Sequence, residues 1–250
     1  NRAFDQLLLD VGLHNAGVTF VLDRSGITGD DGPSHNGVWD LALTGIVPNL
    51  KVAAPRDGSR LKELLRESIE ISDSPSAIRF PKGEVNQDIP AFERRDGIDV
   101  LYRGESADVL LISVGAMAAL CVEAASQSYR EGVGVTVVDP RWVKPLPLDV
   151  IAKMAERYSQ VVVIEDGIAH GGIASSLSEG FRSLSLETPI HSIGAPLRFF
   201  EHAKRNQLLE ELGITAQAVA RQLVGWFSDR PTQEEKQFLG DGNVVQKPKD

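Results

Sequence analysis

The sequence predicts an α/β protein built on parallel sheets. Short apolar runs at 18–22, 51–54, 109–114, 135–138 and 161–164 alternate with stretches whose apolar residues keep helical spacing. Strands alternating with helices imply parallel pairing, with helices covering both faces of each sheet. Of 250 residues, 42% are hydrophobic and 24% charged, the mix of a globular chain with room for one large domain or two ordinary ones.

Taken in order, residues 1–16 read as the middle of an amphipathic helix, with Phe4, Leu7, Leu8 and Val11 on one face. A helix without a cap at the first residue leads to the expectation that the chain is a piece of a longer one. The strand over 18–22 enters a loop, 23–40, that holds Gly26, Gly29, Gly32 and Gly37. A short helix begins near Gly37, and a strand follows over 51–54. Asp57 is placed to cap the next helix, along which Leu61, Leu64, Leu65 and Ile69 share a face. A strand over 76–80 ends this first region, which reaches to about residue 90. The stretch 82–102 shows no sustained period and reads as a linker.

The second region, 97–228, is more regular. A buried strand over 108–115 leads to a helix with Met117, Leu120, Cys121, Ala124, Ala125 and Tyr129 on one stripe, closed by Gly132. Strands over 135–138, 161–164 and 189–193 alternate with helices at 148–158 and 172–184. A closing helix runs over 216–227 with Thr215 as its cap. From 229 to 250 the chain is a polar tail without an apolar pattern.

The charge balance narrows the functional classes. Twenty-six basic residues against 35 acidic ones give a net charge of −9, which argues against a nucleic-acid partner. A small anionic substrate stays open, because a few local cations can outweigh a distant negative surface. The single cysteine, Cys121, rules out an internal disulfide and fits a reducing, cytoplasmic setting. No apolar run nears the roughly 20 residues of a membrane span, and no secretory signal is read at the start.

The chemistry concentrates in the 23–40 loop. Gly26, Gly29 and Gly32 let the backbone turn so that Arg24 and His35 can be aimed at one point. A guanidinium at a strand end suits a phosphate or carboxylate; the same Arg24 could instead pair with Asp23 or Asp31. Arg79 and Lys82 follow another strand end, and in a parallel sheet such ends share one edge. His35 sits behind the Gly32-Pro33 turn, and imidazole is the side chain that titrates nearest neutrality. Gly29-Asp30-Asp31-Gly32 lacks a metal-diphosphate pattern, and Gly171-Gly172 fits close helix–sheet packing better than an anion site. His14, His170, His191 and His202 have no partner signature, and no zinc spacing or P-loop occurs.

Four blocks carry a family resemblance. They are the loop Asp23-Arg24-Ser25-Gly26 through Asp31-Gly32-Pro33-Ser34-His35-Asn36-Gly37-Val38-Trp39-Asp40, Arg79-Phe80-Pro81-Lys82-Gly83, Asp139-Pro140-Arg141-Trp142, and Glu165-Asp166 with Gly171-Gly172. In this order they resemble the thiamine-diphosphate enzymes of the transketolase group, and within it the 1-deoxy-D-xylulose-5-phosphate synthase family. The resemblance implies a partial pyrimidine-binding parallel-sheet domain over 1–90, followed by a transketolase C-terminal-like α/β domain over 97–228. It implies that pyruvate and D-glyceraldehyde 3-phosphate condense with loss of carbon dioxide, using thiamine diphosphate and Mg2+ held mainly by residues upstream of this chain. The product would feed isoprenoid and thiamine biosynthesis. Arg24 and Lys82 would clamp the substrate phosphate, with Lys82 standing where the family usually has Arg. His35 would face the reacting carbon, Asp31 would contact substrate hydroxyls or orient neighbours, and Arg79 ranks lower as a substrate ligand, with a structural pair to an acid as its other reading. A homodimer and a missing N-terminal portion of the same enzyme are the implied partners, and the chain alone would be inactive. A transketolase, the β subunit of a 2-oxoacid dehydrogenase and a non-catalytic assembly module of the same fold are the competing readings.

Overall fold

The computed structural model describes residues 2–85 and 87–228. The polar tail expected over 229–250 lies outside the described residues. Two sheets form. In the first, β1 (Thr19–Leu22), β2 (Lys51–Ala53) and β3 (Ser76–Arg79) run parallel in the order β1-β3-β2. This places the ends of β1 and β3, and therefore Arg24 and Lys82, side by side. Helices α1 (Asp40–Gly45) and α2 (Gly58–Ile69) connect these strands. Asp57 caps α2 as expected, accepting from Arg60 N at 2.8 Å, an arrangement usually worth about 1 kcal/mol.

The second sheet contains β4 (Glu93–Arg95), β5 (Ile98–Tyr102), β6 (Val109–Ser113), β7 (Val135–Asp139), β9 (Gln160–Ile168) and β10 (Ile190–Ala195). Their order is β10-β9-β6-β7-β5-β4, parallel from β10 to β7 and antiparallel across β5 and β4. Residues of β6, β7 and β9 are buried along their whole length, the burial expected of strands covered on both faces. Helices α3 (Ala118–Arg130) and α7 (Ala216–Ser228) cover one face through Cys121, Ala124, Ala125 and Leu223. Thr215 Oγ1 accepts from Ala218 N at 3.2 Å, so the expected cap of α7 forms. The other face meets α4 (Leu148–Ala155) and α5 (Ile173–Ser183), and shares its core with Val52 and Ala77 of the first sheet. A further short helix, α6 (Arg205–Glu211), precedes α7. Among the described residues, no helix is long and apolar enough to cross a membrane.

Three features differ from the sequence expectation. The first segment is a π-helix over Gln6–Gly12 that buries Leu7 and Gly12. The 82–102 stretch is not irregular throughout, because β4 and β5 form an antiparallel hairpin there. Its turn is Asp96-Gly97, with both residues at positive φ, 48° and 87°, which is the turn chemistry a right-twisted hairpin favours. Finally, β8 (Trp142–Lys144) leaves the second region and joins the first sheet, antiparallel to β2. Lys144 Nζ donates to the Thr44 and Gly45 carbonyls at 2.9 and 2.8 Å and also to that of Val47, so it closes the C-terminus of α1.

A buried ion cluster joins the two sheets. Arg56 follows β2 and is only 1% exposed. Its Nη1 donates to Asp99 Oδ2 and Asp139 Oδ2, each at 2.7 Å, and its Nε and Nη2 donate to the Ile89 carbonyl. Burial pushes the Asp139 carboxyl up to about 6, with Arg56 opposing the rise. Burial would raise Asp99 as well, but bonds from Arg94 and Arg56 outweigh it and hold that carboxyl below its ordinary value.

Candidate functional site

The 23–40 loop is held by its own polar groups. Asn36 Oδ1 accepts from Thr28 N at 2.9 Å, and Asn36 Nδ2 donates to the Gly32 carbonyl at 2.9 Å. Gly26 and Gly37 form an isolated bridge, with Gly37 N donating to Gly26 O at 2.8 Å. Ser25 N donates to the Phe80 carbonyl at 3.1 Å, which ties the start of this loop to the loop after β3. Gly32 is at φ +74° with its Cα against the ring of His202, so a side chain there would meet both backbone strain and the imidazole.

That scaffold brings Arg24, Asp31 and Lys82 together. Lys82 Nζ donates to Asp31 Oδ1 at 2.6 Å, and Arg24 Nη1 approaches Asp31 Oδ2 at 3.5 Å. Asp31 is the inner member, its side chain 15% exposed, against 54% for Arg24 and 44% for Lys82. The hydrogen bond from Lys82 holds the Asp31 carboxyl below its ordinary value, and the charges of Lys82 and Arg24 act the same way. Arg24 therefore pairs with an acid, as its alternative reading had it, while its guanidinium still faces solvent.

Arg24 also stands between two cavities. One, of about 610 Å³, is lined by Phe4, Leu7, Phe20 and Leu43 at its apolar end, and by Arg24 and His35 at its polar end. The other, of about 330 Å³, lies between Arg24, Lys82, Phe80 and the start of α2 near Pro55. His35 is exposed, and its Nδ1 shares a hydrogen bond of 2.8 Å with Ser34 Oγ, which orients the ring.

Arg79 does not join this group: its place among the expected substrate ligands gives way to its other reading, a structural pair to an acid. It is 3% exposed; Nε donates to Asp40 Oδ2 at 2.9 Å and Nη2 to the Asp166 carbonyl at 2.8 Å. As the last residue of β3 its side chain points inward, whereas Lys82 lies in the loop beyond. Below it, Glu165 turns both carboxylate oxygens onto the N-terminus of α5, accepting from Ile173 N at 2.9 Å and Ala174 N at 3.2 Å. The helix end beside Gly171-Gly172 is thus filled from within, in keeping with the packing role read for that pair. Burial pushes the Glu165 carboxyl up to about 7 despite those two bonds.

Comparison with known proteins places this geometry. A family profile described as the pyrimidine-binding domain of transketolase matches residues 1–87, and one for the transketolase C-terminal domain matches 99–219. The chain belongs to the transketolase family. It is 54% identical over 231 residues to a protein named 1-deoxy-D-xylulose-5-phosphate synthase from Mycolicibacterium gilvum, covering 91% of this chain and 36% of the relative. A protein of the same name from Rhodococcus jostii is 51% identical over 240 residues, covering 94% of this chain and 37% of the relative. The chain thus spans little more than a third of the length of these relatives. Among solved structures, a split-gene transketolase in an inactive β4 tetramer superposes with a TM-score of 0.80 at 26% identity, covering 91% of this chain and 73% of that one. A transketolase from Campylobacter jejuni gives 0.64 at 20% identity over 85% of this chain and 31% of that one, a likeness of fold. The fold expected from the sequence, a partial pyrimidine-binding domain followed by a C-terminal one, agrees with both profiles.

Residues that the sequence reading missed are those that hold the loop. Asn36 and Asp166 lie inside the family blocks, but the bonds by which they hold the loop run mainly to backbone atoms, which leave no pattern of side-chain types. Arg205 lies outside every block.

Proposed function

We propose that this chain carries the aldehyde-phosphate site of a 1-deoxy-D-xylulose-5-phosphate synthase, which condenses pyruvate with D-glyceraldehyde 3-phosphate and releases carbon dioxide. The observation that supports it is the pair of half-exposed cations, Arg24 and Lys82, on either side of Asp31, with both lining the smaller cavity and Arg24 also reaching the larger cleft beside His35. A phosphate dianion offers both cations more charge and more acceptor oxygens than the single carboxylate now between them. Lys82 gives a point charge and Arg24 the planar fork, so the two divide the phosphate oxygens. His35, further along the same wall, can exchange a proton with a substrate oxygen.

Thiamine diphosphate supplies a carbanion centre when bound. The apolar end of the cleft, with Phe4 and Phe20, fits one face of an aromatic heterocycle. The diphosphate and its Mg2+ do not find a comparable seat: no cluster of three or more potential metal ligands occurs among the described residues. We assign those groups to the portion of the enzyme that the longer relatives carry upstream. The free edge of β1, where Val21 is 54% exposed, is a seat for that portion. A cytoplasmic homodimer belongs to the same reading. A second arrangement, in which the upstream portion is a separate polypeptide, is favoured by the likeness to the split-gene transketolase.

The chain alone is therefore expected to be inactive, and joining it to the upstream portion should give turnover. In that complete enzyme, Arg24→Ala and Lys82→Ala should each raise KM for D-glyceraldehyde 3-phosphate by about tenfold to a hundredfold, the loss of a hydrogen bond to a charged group. KM for pyruvate should stay near wild type. Unphosphorylated glyceraldehyde should be used equally well by wild type and variants. Equal losses with both aldehydes would remove the phosphate assignment.

A further inference from the structure

One residue of the substrate loop has both its backbone N–H and its carbonyl gripped by an ion pair. Ile27 N donates to Asp166 Oδ1 at 2.9 Å, and the Ile27 carbonyl accepts from Arg205 Nη1. The ring is closed by Arg205 Nη2, which pairs with Asp166 Oδ2. Asp166 is at the end region of β9 and Arg205 opens α6, so both belong to the second half of the chain, which gives no side chain to the Arg24, Asp31, Lys82 and His35 group. Neither lines either cavity beside Arg24.

The rest of the loop is built to receive this grip. Gly26, at φ +69°, lies so close to Asp166 that a Cβ would fall on its carboxylate, and Gly29 lies in the same way against the backbone of Ala203 and Arg205. The Ile27 side chain is 1% exposed and packs with Val38, Ile168, Ala195, Phe200 and Leu208. Asp166 is itself fixed from behind, its carbonyl accepting from Arg79, which Asp40 holds in turn. Ile27 stands three residues after Arg24 and four before Asp31, so this anchor sets where both charges can reach.

We propose that Asp166 and Arg205 are positioning residues for the anion site: the second half of the chain fixes the substrate loop through the Ile27 backbone without touching substrate. The inference rests on the reading of Arg24 and Lys82 as a phosphate site. Holding an ordering ion pair in the apoprotein removes loop freedom before binding, so less conformational entropy is lost when the anion arrives.

The test uses the full chain with Asp166→Ala, Arg205→Ala and Arg205→Lys. Amide hydrogen exchange over 24–37 should rise about tenfold or more in both alanine variants, while β6 and β9 keep wild-type protection. The double variant should resemble either single one, because the two side chains act as one clasp. Titration with inorganic phosphate, followed by the NMR signals of the His35 imidazole, should show about tenfold weaker binding in the alanine variants. Arg205→Lys should recover part of it, since an ammonium can reach only one of the two acceptors. Unchanged loop exchange overturns the proposal, as does loss of protection throughout β6 and β9, which would mark the pair as general supports of the fold. If wild type itself gives no response to phosphate, the phosphate reading fails, and the exchange measurement still decides whether the pair positions the loop.

Discussion

Arg56→Met should lower the free energy of unfolding by about 3–5 kcal/mol, the usual cost of removing one partner from a buried ion cluster. The guanidinium is fully enclosed and serves Asp99, Asp139 and the Ile89 carbonyl together. Methionine fills much of the space but takes the arginine donors away from two buried carboxylates and a partly buried carbonyl. Asp99 keeps Arg94, so most of the cost falls on Asp139 and Ile89. Urea unfolding at pH 7 measures the loss. Adding Asp139→Asn to Arg56→Met should recover part of it, because a neutral amide is less costly to leave in the interior than a carboxylate. A loss below about 1 kcal/mol would mean that the cluster takes up water when its arginine goes.

Glu165→Gln should remove a pH dependence of stability. The carboxyl lies near 7 in the folded protein, against an ordinary value of 4.5, because burial opposes its charge more than the Ile173 and Ala174 amides support it. Between these values the folded state holds a proton that the unfolded chain has released, so stability falls as pH rises from about 4.5 to about 7. A shift of this size corresponds to roughly 3 kcal/mol across the window. Below it both states are protonated, and above it both are ionised with the full cost present. The glutamine variant carries a constant offset from its amide, but the difference between variant and wild type should move in the variant's favour by up to that amount from pH 5 to pH 8. Guanidinium titrations at several pH values read it directly, and parallel stability curves would show that Glu165 stays ionised throughout.

Much of the architecture was legible in the chain. Apolar runs marked β1, β2, β3, β6, β7 and β9 because buried parallel strands need continuous hydrophobic residues. Asp57 and Thr215 announced their helices through side-chain oxygens that cap free amides. What escaped was short or was decided by distant contacts. β8 has three residues between two prolines, and only pairing with β2 makes it a strand. The β4–β5 hairpin carried its Asp96-Gly97 signal, yet the surrounding charges hid the alternation. In the candidate site, Arg24 and Lys82 come together because adjacent parallel strands deliver their ends to one edge, and Asp31 lies between them. Arg79 was drawn in by the same logic, but it is still in the strand, where its pleat position turns it into the interior. Asn36, Asp166 and Arg205 were hidden because their bonds to the loop run mainly to peptide groups, which any sequence has, and because the Arg205–Asp166 pair joins residues far apart in the chain.

The crossing of β8 into the first sheet has a topological consequence. With β8 paired to β2 and Lys144 closing α1, the polypeptide that begins one half also finishes the other, much as exchanged arms lock two subunits of a swapped dimer. The connector between β3 and β4 is thereby relieved of tethering: the halves are interlaced by their own strands, and what the connector must still do is deliver Lys82 to Asp31 and the Ile89 carbonyl to Arg56.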